Sequence, residues 1–443
     1  MLMGHAGSSL TIVAQRIFDG NSMRGPGSVK ISQGRIESIT FGEAEAGASI
    51  QLPADAILAP GFIDIQVNGG GGVLLNDQPT EAGIQRIVAA HRKGGTTGCL
   101  PTLITDRTEV IERLAGVAQA GLKISGVLGF HLEGPALNGS RKGIHPQAEI
   151  RVPDWRDLAA IKRFGRCGRS IVTLAPECVP GSTIDELIDA GLRIAAGHSD
   201  ATAAEIGQAV DRGVSGVTHL FNAMSPLNAR EPGLVGAALG DDRLFAGIIC
   251  DGIHVDRVGL RIAFRCKGRD RLMLVTDAMP LVGTNDRQFM LQGRQITLHE
   301  GRLTGADGTL AGAHLTMIEA VRNAVALLGI SLVDALIMAS RTPAAFLGLA
   351  LELGRIAPGY RADLVAFNPN FEVVGTWIGG VGSMGEASEA PAGNSARKPN
   401  SDELYGTDHH DVADGVGTLP RDYASVPKEV PVLGPPGRRR SDR

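Results

Sequence analysis

The chain has 443 residues, of which 43% are hydrophobic and 20% charged, a composition typical of folded domains with a sizeable core. Lysine and arginine total 43 against 47 aspartates and glutamates, which gives a net charge of -4 and no basic excess for nucleic acid or anionic membranes. The dense apolar runs, such as 244–250, are far shorter than the roughly 18 to 20 residues of a bilayer span, so we expect an enzyme-sized globule that binds neither partner.

The N-terminal segment and the cysteines both favour a cytoplasmic protein. Residues 1–9 contain no basic segment followed by an apolar stretch, so no secretory signal is visible. The five cysteines are scattered and show no C-x-x-C spacing, which argues against a disulfide framework and against a thiolate zinc site. A reducing cytoplasm is therefore the expected location.

Two segments that flank the central region, 1–58 and 351–380, predict a small β domain. Residues 10–58 alternate short β-branched runs with glycine-containing turns, and residues 351–380 show the same pattern. We expect segments 1–58 and 351–380 to pair into one accessory β-sandwich.

The region between them, 59–350, repeats one pattern: a short apolar run, a polar residue at its end, and a segment able to form a helix. The runs are 62–67, 97–102, 124–132, 170–174, 192–196, 214–218, 244–250 and 272–276. Helices are predicted, for instance, over 81–93, 107–120, 202–212 and 257–266. Eight strands alternating with helices predict an α/β fold, a (β/α)8 barrel of the TIM type, whose chemistry lies on the loops after the strands.

Two segments depart from the barrel pattern. In residues 287–305, apolar and polar side chains alternate on both sides of Gln292-Gly293, a pattern that predicts an inserted hairpin. Residues 381–443 are rich in Gly, Pro, Ser, Asp and Glu and predict a disordered tail, to which we assign no role.

Three of the apolar runs end in or just before residues that bind metals. Glu133, His198 and His219 would meet at one mouth of the barrel. One carboxylate and two imidazoles form a known zinc set with an open position for water. Each residue taken alone is more simply interpreted as a helix cap or as a hydrogen-bonded polar group of the core. Three such residues at strand ends would rarely coincide by chance, which favours a metal site. Asp277 follows the eighth run, where it could move a proton or, on the simpler interpretation, cap a helix.

Several ordered blocks resemble the amidohydrolase superfamily and, within it, the family of N-acetylglucosamine-6-phosphate deacetylases. The resemblance extends over nearly all of 10–380 and is carried by the blocks at 60–69, 131–135, 142–145, 197–202, 218–224, 230–233 and 251–255. It implies Glu133, His198 and His219 as metal ligands, Asp277 as general base and acid, and His145 as the group that polarises the acetamide carbonyl. It also implies a sugar-phosphate site made by Asn222, the backbone of Ala223, Arg230 and His254.

The resemblance also bears on the number of metals. Many relatives carry His-x-His after the first strand, where this chain has Gln66 and Asn68, so one divalent metal per subunit is expected, with Gln66 a candidate contact to the water on the metal. Members with a bridging modified lysine place it after the fourth strand, where this chain has Ala175-Pro176-Glu177. Zinc is the first choice, with iron, cobalt or manganese as alternatives.

The expected reaction is hydrolysis of N-acetylglucosamine 6-phosphate to glucosamine 6-phosphate and acetate, by a homodimer if the family pattern holds. The galactosamine epimer is an alternative substrate. A non-catalytic barrel retained as a binding protein is a further alternative, against which the intact set of Glu133, His198, His219 and Asp277 argues.

Overall fold

The computed structural model describes residues 9–42 and 49–384. Its strands, in chain order, are β1 (Leu10–Ala14), β2 (Arg16–Phe18), β3 (Met23–Arg24), β4 (Gly27–Ser32), β5 (Arg35–Phe41), β6 (Ile50–Gln51), β7 (Ile57–Pro60), β8 (Phe62–Val67), β9 (Gly69–Gly70), β10 (Val73–Leu74), β11 (Thr96–Ile104), β12 (His131–Glu133), β13 (Ile171–Leu174), β14 (Arg193–Ala196), β15 (Gly216–Val217), β16 (Phe245–Ile249), β17 (Leu272–Val275), β18 (Gln288–Leu291), β19 (Arg294–His299), β20 (Arg302–Thr304), β21 (Leu310–Ala313), β22 (Leu364–Phe367), β23 (Val373–Ile378) and β24 (Val381–Met384).

The α-helices are α1 (Glu81–Arg92), α2 (Thr108–Gly121), α3 (Trp155–Arg163), α4 (Gly181–Asp189), α5 (Ala203–Arg212), α6 (Gly233–Gly240), α7 (Arg257–Lys267), α8 (Met317–Asn323), α9 (Leu332–Ala339) and α10 (Arg341–Phe346). The four predicted helices correspond to α1, α2, α5 and α7. Local sequence explains such boundaries: Thr202 and Glu205 form a capping box at the start of α5, and Gly213 ends it with φ +114°.

Eight parallel strands form the barrel. They are ordered β8, β11, β12, β13, β14, β15, β16 and β17, each beside the next along the chain. A parallel bridge between Val67 and Ala278 joins the last strand region to the first, and Thr276 donates its hydroxyl to Asp64 across the same seam at 2.5 Å. Side chains of β8, β11 and β13 are buried along their whole length, as expected for strands covered on both faces. The predicted barrel is confirmed.

Two further sheets flank the barrel in sequence: β5-β4-β1-β6 consists of N-terminal strands alone, and β24-β23-β22-β7-β2-β3 combines strands from both ends of the described chain. Strand β7 pairs antiparallel with β22, with Leu58 opposite Ala366. Ile12 and Val29 from one sheet and Leu58 and Trp377 from the other are buried in one apolar core. The two sheets therefore pack as a sandwich made from both ends of the described chain.

Two boundaries differ from those expected. Residues 381–384, assigned above to the tail, form β24, because Gly379 and Gly380 adopt φ +54° and +76° and turn the chain into a hairpin with β23. The rest of the predicted tail, 385–443, lies outside the described residues. The insertion is also larger than a hairpin, because β18 to β21 form a four-stranded antiparallel sheet. The last two strands, β20 and β21, are too short for the sequence to show a clear alternation of apolar and polar residues.

Candidate metal centre and catalytic cavity

Glu133, His198 and His219 meet at the C-terminal mouth of the barrel. Glu133 is the last residue of β12, and each histidine follows its strand, β14 or β15, by two residues. The Nε2 atoms of His219 and His198 lie 3.0 and 3.3 Å from Oε1 of Glu133 and 3.0 Å from each other. All three side chains are buried. The structure therefore brings together the three residues that the sequence analysis proposed as ligands.

The donor set fits a divalent metal. The Nδ1–H of His198 donates to the carbonyl of Arg141 at 2.8 Å, which leaves Nε2 as the ring nitrogen that would bind a metal. When both rings carry a proton on Nδ1 alone, as they would as metal ligands, two nitrogen lone pairs and a carboxylate oxygen face one point, an arrangement that a cation stabilises. Within 9–42 and 49–384 these residues are the one group of three or more His, Cys, Asp or Glu side chains spaced to hold a metal.

Electrostatics support a charged carboxylate at this centre. Burial by itself raises the pKa of Glu133, but hydrogen bonds and charge interactions with His198 and His219 outweigh it and hold the pKa well below its usual value. Glu133 is therefore an anion suited to bind a cation.

Asp277 follows β17 by two residues and faces the same centre. Its Oδ1 accepts hydrogen bonds from the side-chain amides of Asn68 at 2.6 Å and Gln66 at 3.1 Å. The same nitrogen of Gln66 lies 3.2 Å from Oε1 of Glu133. Burial, with the negative charge of Glu133, raises the pKa of Asp277 to about 6. A carboxyl group with such a pKa can accept and return a proton near neutral pH.

The backbone at these strand ends is left-handed although the residues are not glycine. The φ angles are +48° at His198, +32° at His219 and +51° at Asp277, in a region that side chains with a Cβ seldom adopt. Such strain persists where neighbouring contacts hold it. At Asp277, for example, the backbone N–H donates to the carbonyl of Gln66 at 3.0 Å.

His145 lies beside the metal ligands on the loop that follows β12. Its Nε2 is 3.7 Å from Oε2 of Glu133, and its Nδ1 is 2.9 Å from the hydroxyl of Thr105. Burial, together with the proximity of His198, lowers the pKa of His145 to about 3, so the ring is neutral. Arg294 of the inserted sheet donates to the carbonyl of Ile144 and thereby holds this loop against the insertion.

A cavity of about 250 Å³ opens above these groups. Asn222, Ala223 and His254 line it together with the ligands, Asp277 and His145, and Thr309 and Leu310 of the insertion contribute to its wall. Its size and mixed lining suit a small polar molecule.

The structure does not bring every predicted binding residue to this cavity. Arg230 is exposed, within the exposed segment 226–230, and is not among the residues that line the cavity. The structure also shows contributors that the sequence analysis missed. Asp251 accepts the Nδ1–H of His254 at 2.6 Å, for which its position three residues before His254 was an available signal. Thr105 and Asn68, by contrast, make contacts that no local pattern indicates.

Comparisons with known proteins agree with the fold. A family model described as "Amidohydrolase family" matches residues 57–382. The chain is 42% identical over 325 residues to N-acetylgalactosamine-6-phosphate deacetylase of Shewanella sp. (strain ANA-3), covering 73% of this chain and 82% of that protein. It is 36% identical to N-acetylglucosamine-6-phosphate deacetylase of Haemophilus influenzae, covering 76% of this chain and 89% of that protein.

Solved structures of N-acetylglucosamine-6-phosphate deacetylases are also similar to this chain. The crystal structure of N-acetylglucosamine-6-phosphate deacetylase from Pasteurella multocida superposes with a TM-score of 0.82 at 33% identity, covering 85% of this chain and all of that one. A mutant of the Mycobacterium smegmatis N-acetylglucosamine-6-phosphate deacetylase, solved in complex with N-acetyl-D-glucosamine-6-phosphate, has a TM-score of 0.79 at 33% identity and covers 84% of this chain and 99% of that one. In the described part of the chain, no helix combines the length and the hydropathy of a membrane span.

Proposed function

The chain belongs to the amidohydrolase family, and from this premise we propose that it hydrolyses the acetamide of N-acetyl-D-glucosamine 6-phosphate to D-glucosamine 6-phosphate and acetate. The observation that carries the proposal is the meeting of Glu133, His198 and His219 with Asp277 at one cavity. Relatives and solved structures named as deacetylases of N-acetylhexosamine 6-phosphates support the substrate class.

In the proposed reaction Glu133, His198 and His219 hold one divalent metal, with zinc as the first choice. When bound, such a metal supplies Lewis acidity that activates water or the amide carbonyl. Asp277 accepts the proton of the attacking water and returns it to the leaving amine. The hydrogen bonds from Asn68 and Gln66 orient the carboxylate of Asp277 for both transfers.

We assign His145 to the acetamide oxygen. To donate from Nε2, the neutral ring must accept at Nδ1 from the hydroxyl of Thr105, which lies 2.9 Å away. That hydroxyl donates to the carbonyl of Glu133 at 3.0 Å, so its single proton must turn from that carbonyl to Nδ1 before His145 can donate from Nε2. Donation to the developing oxyanion would stabilise the tetrahedral transition state.

Asn222, the backbone of Ala223 and His254 are proposed to bind the sugar phosphate, since all three line the cavity. Arg230 is retained in this role as a prediction from the sequence. A homodimer and a cytoplasmic location are likewise predictions from the sequence.

The galacto epimer is a second candidate substrate, because the relative at 42% identity is named as an N-acetylgalactosamine-6-phosphate deacetylase. Acetate release from both 6-phosphates and from both unphosphorylated sugars, with metal content measured on the same preparation, tests the proposal. We expect turnover of the gluco 6-phosphate and about one metal per chain. Faster turnover of the galacto epimer would select the second candidate, and metal-free protein without activity on any of the four would favour a non-catalytic barrel.

A further inference from the structure

Glu177 is a carboxylate outside the ligand set that accepts hydrogen bonds from residues around His198. It lies in the short turn Pro176–Cys178 after β13. Its Oε1 accepts from the backbone N–H of Asp200 at 2.7 Å and from the side-chain amide of Asn138 at 3.0 Å. Its Oε2 accepts from the hydroxyl of Ser199 at 2.7 Å. Glu177 thus binds both residues that directly follow the ligand.

These contacts act on the strained backbone of His198. The φ angle of +48° at this residue is unfavourable for a side chain with a Cβ, so neighbouring contacts must hold it. Glu177 fixes the chain after His198 through Ser199 and Asp200. Asn138, itself bound to Glu177, also donates its backbone N–H to the carbonyl of His198 at 2.8 Å.

The same network also sets the ring of His198. The side chain of Asn138 accepts the N–H of Ser140 at 2.9 Å and so caps the turn Gly139–Arg141. The last residue of that turn, Arg141, supplies the carbonyl that accepts Nδ1–H of His198. Arg141 also donates its guanidinium to Asp200 at 2.8 Å. Backbone and ring of the ligand are therefore held by one set of hydrogen bonds centred on Glu177.

We propose that Glu177 is a positioning residue for metal binding, which holds His198 in the conformation and tautomer that present Nε2 to the metal. The inference rests on the metal centre of the proposed function but not on the identity of the sugar. Outer partners of this kind typically change metal affinity 10- to 100-fold when they are removed.

The test is zinc affinity, measured without substrate by competition with a chelator on metal-stripped, full-length protein. Glu177→Ala should weaken zinc binding 10- to 100-fold. Glu205→Ala is the matched control, because this nearby carboxylate likewise accepts a backbone N–H, that of Thr202 at 2.8 Å, but belongs to the cap of α5. It should lower the melting temperature and leave the zinc dissociation constant within about twofold of the wild type.

Glu177→Gln keeps the size of the side chain and one acceptor oxygen, so it covers the case in which the alanine variant does not fold. It should weaken zinc binding at least about threefold, since its amide nitrogen cannot accept a hydrogen bond. An unchanged zinc dissociation constant in Glu177→Gln or Glu177→Ala would overturn the proposal, as would an equal loss in Glu205→Ala. If the wild-type protein bound zinc but did not deacetylate the sugar phosphates, the proposed function would be refuted and the inference about Glu177 would stand.

Discussion

Asn68 donates its side-chain amide to Oδ1 of Asp277 at 2.6 Å, although the two residues are 209 positions apart. Asn68 follows the first barrel strand and Asp277 the last, and closure of the barrel makes these strand ends neighbours. The resemblance to the amidohydrolases implies a metal-binding histidine at the position of Asn68 in many of them. Here the amide serves the proposed general base instead, which is consistent with a centre built for one metal.

Asn68→Ala should lower kcat while metal content stays at the wild-type level, since the side-chain amide of Asn68 donates its hydrogen bonds to Asp277 and to none of the three ligands. A hydrogen bond to a charged group contributes about 1.5 to 3 kcal/mol, which corresponds to a loss of roughly 10- to 150-fold. Steady-state kinetics with metal analysis on the same sample provide the check. Wild-type kcat in this variant would show that Asp277 does not depend on Asn68 for its orientation.

Removing a ligand should have a different signature. His198→Ala or His219→Ala takes away one of three protein ligands, so bound metal and activity should fall together. Metal analysis and acetate release measure both quantities. The site assignment would be wrong if either variant kept about one metal per chain and normal turnover.

Asp277→Asn separates proton transfer from metal binding. Asparagine has the shape of aspartate but cannot take up the proton, so metal should remain while kcat falls by at least the roughly 10²- to 10⁴-fold typical of general acid-base catalysis. Substrate binding, measured directly by calorimetry, should persist. Near-normal kcat would remove Asp277 from the proposed mechanism.

The sequence predicted the parts of the site that local pattern controls. Glu133, His198, His219 and Asp277 each lie at or just after an apolar run, and parallel strands of a barrel deliver such positions to one mouth. The third run was placed too early, at 124–132, whereas β12 is His131–Glu133. The left-handed φ of +101° at Gly126 interrupts regular pairing before that strand.

The contacts that hold the ligands could not be predicted in this way. Glu177 meets Asn138 and Asp200 only because strands β12, β13 and β14 are adjacent in the barrel. Hydrogen bonds between loops depend on the direction of each side chain, and periodicity carries no information about that direction. The exposed position of Arg230 likewise depends on the path of its loop, which the sequence of the loop does not determine.

His91 gives a prediction for pH dependence away from the metal. It lies in α1 with Nε2 2.8 Å from the carbonyl of Gly69, while its buried Nδ1 has no hydrogen-bond partner among the described residues. Burial lowers the pKa of His91 to about 4 from an ordinary value of 6.5. The unfolded chain therefore takes up a proton that the folded chain resists, and stability is lost as the pH falls from about 6.5 towards 4.

His91→Gln keeps an amide donor for Gly69 and cannot be protonated. The free energy of unfolding of the wild type, minus that of this variant, should therefore decrease by about 1.4 kcal/mol for each pH unit below about 6.5. Between pH 6.5 and 5 the decrease should be about 2 kcal/mol. Urea unfolding of both proteins at several pH values measures the difference. A difference that does not change with pH would show that His91 is not held neutral by burial.

The last prediction concerns the phosphate, for which the sequence implies both Arg230 and His254, whereas of these two only His254 lines the cavity. Arg230 lies in a block that resembles the deacetylase family, but it is exposed and does not line the cavity, whereas His254 lines the cavity with Nδ1 held by Asp251. If Arg230 binds the phosphate, its replacement by alanine removes charge-assisted hydrogen bonds of about 1.5 to 3 kcal/mol each. The value of kcat/KM for the 6-phosphate should then fall roughly 10- to 150-fold.

The unphosphorylated sugar separates a phosphate contact from a general disturbance, because it lacks the group that Arg230 would bind. Its kcat/KM should be nearly unchanged in Arg230→Ala. Arg243→Ala is a suitable control, since this exposed arginine pairs with Asp241 and Asp211 and does not line the cavity. Part of the loss in Arg230→Ala can appear in kcat, because remote binding energy also orients the acetamide. Equal effects on both substrates, or none on either, would exclude Arg230 and leave Asn222, the backbone of Ala223 and His254 as the proposed binding groups.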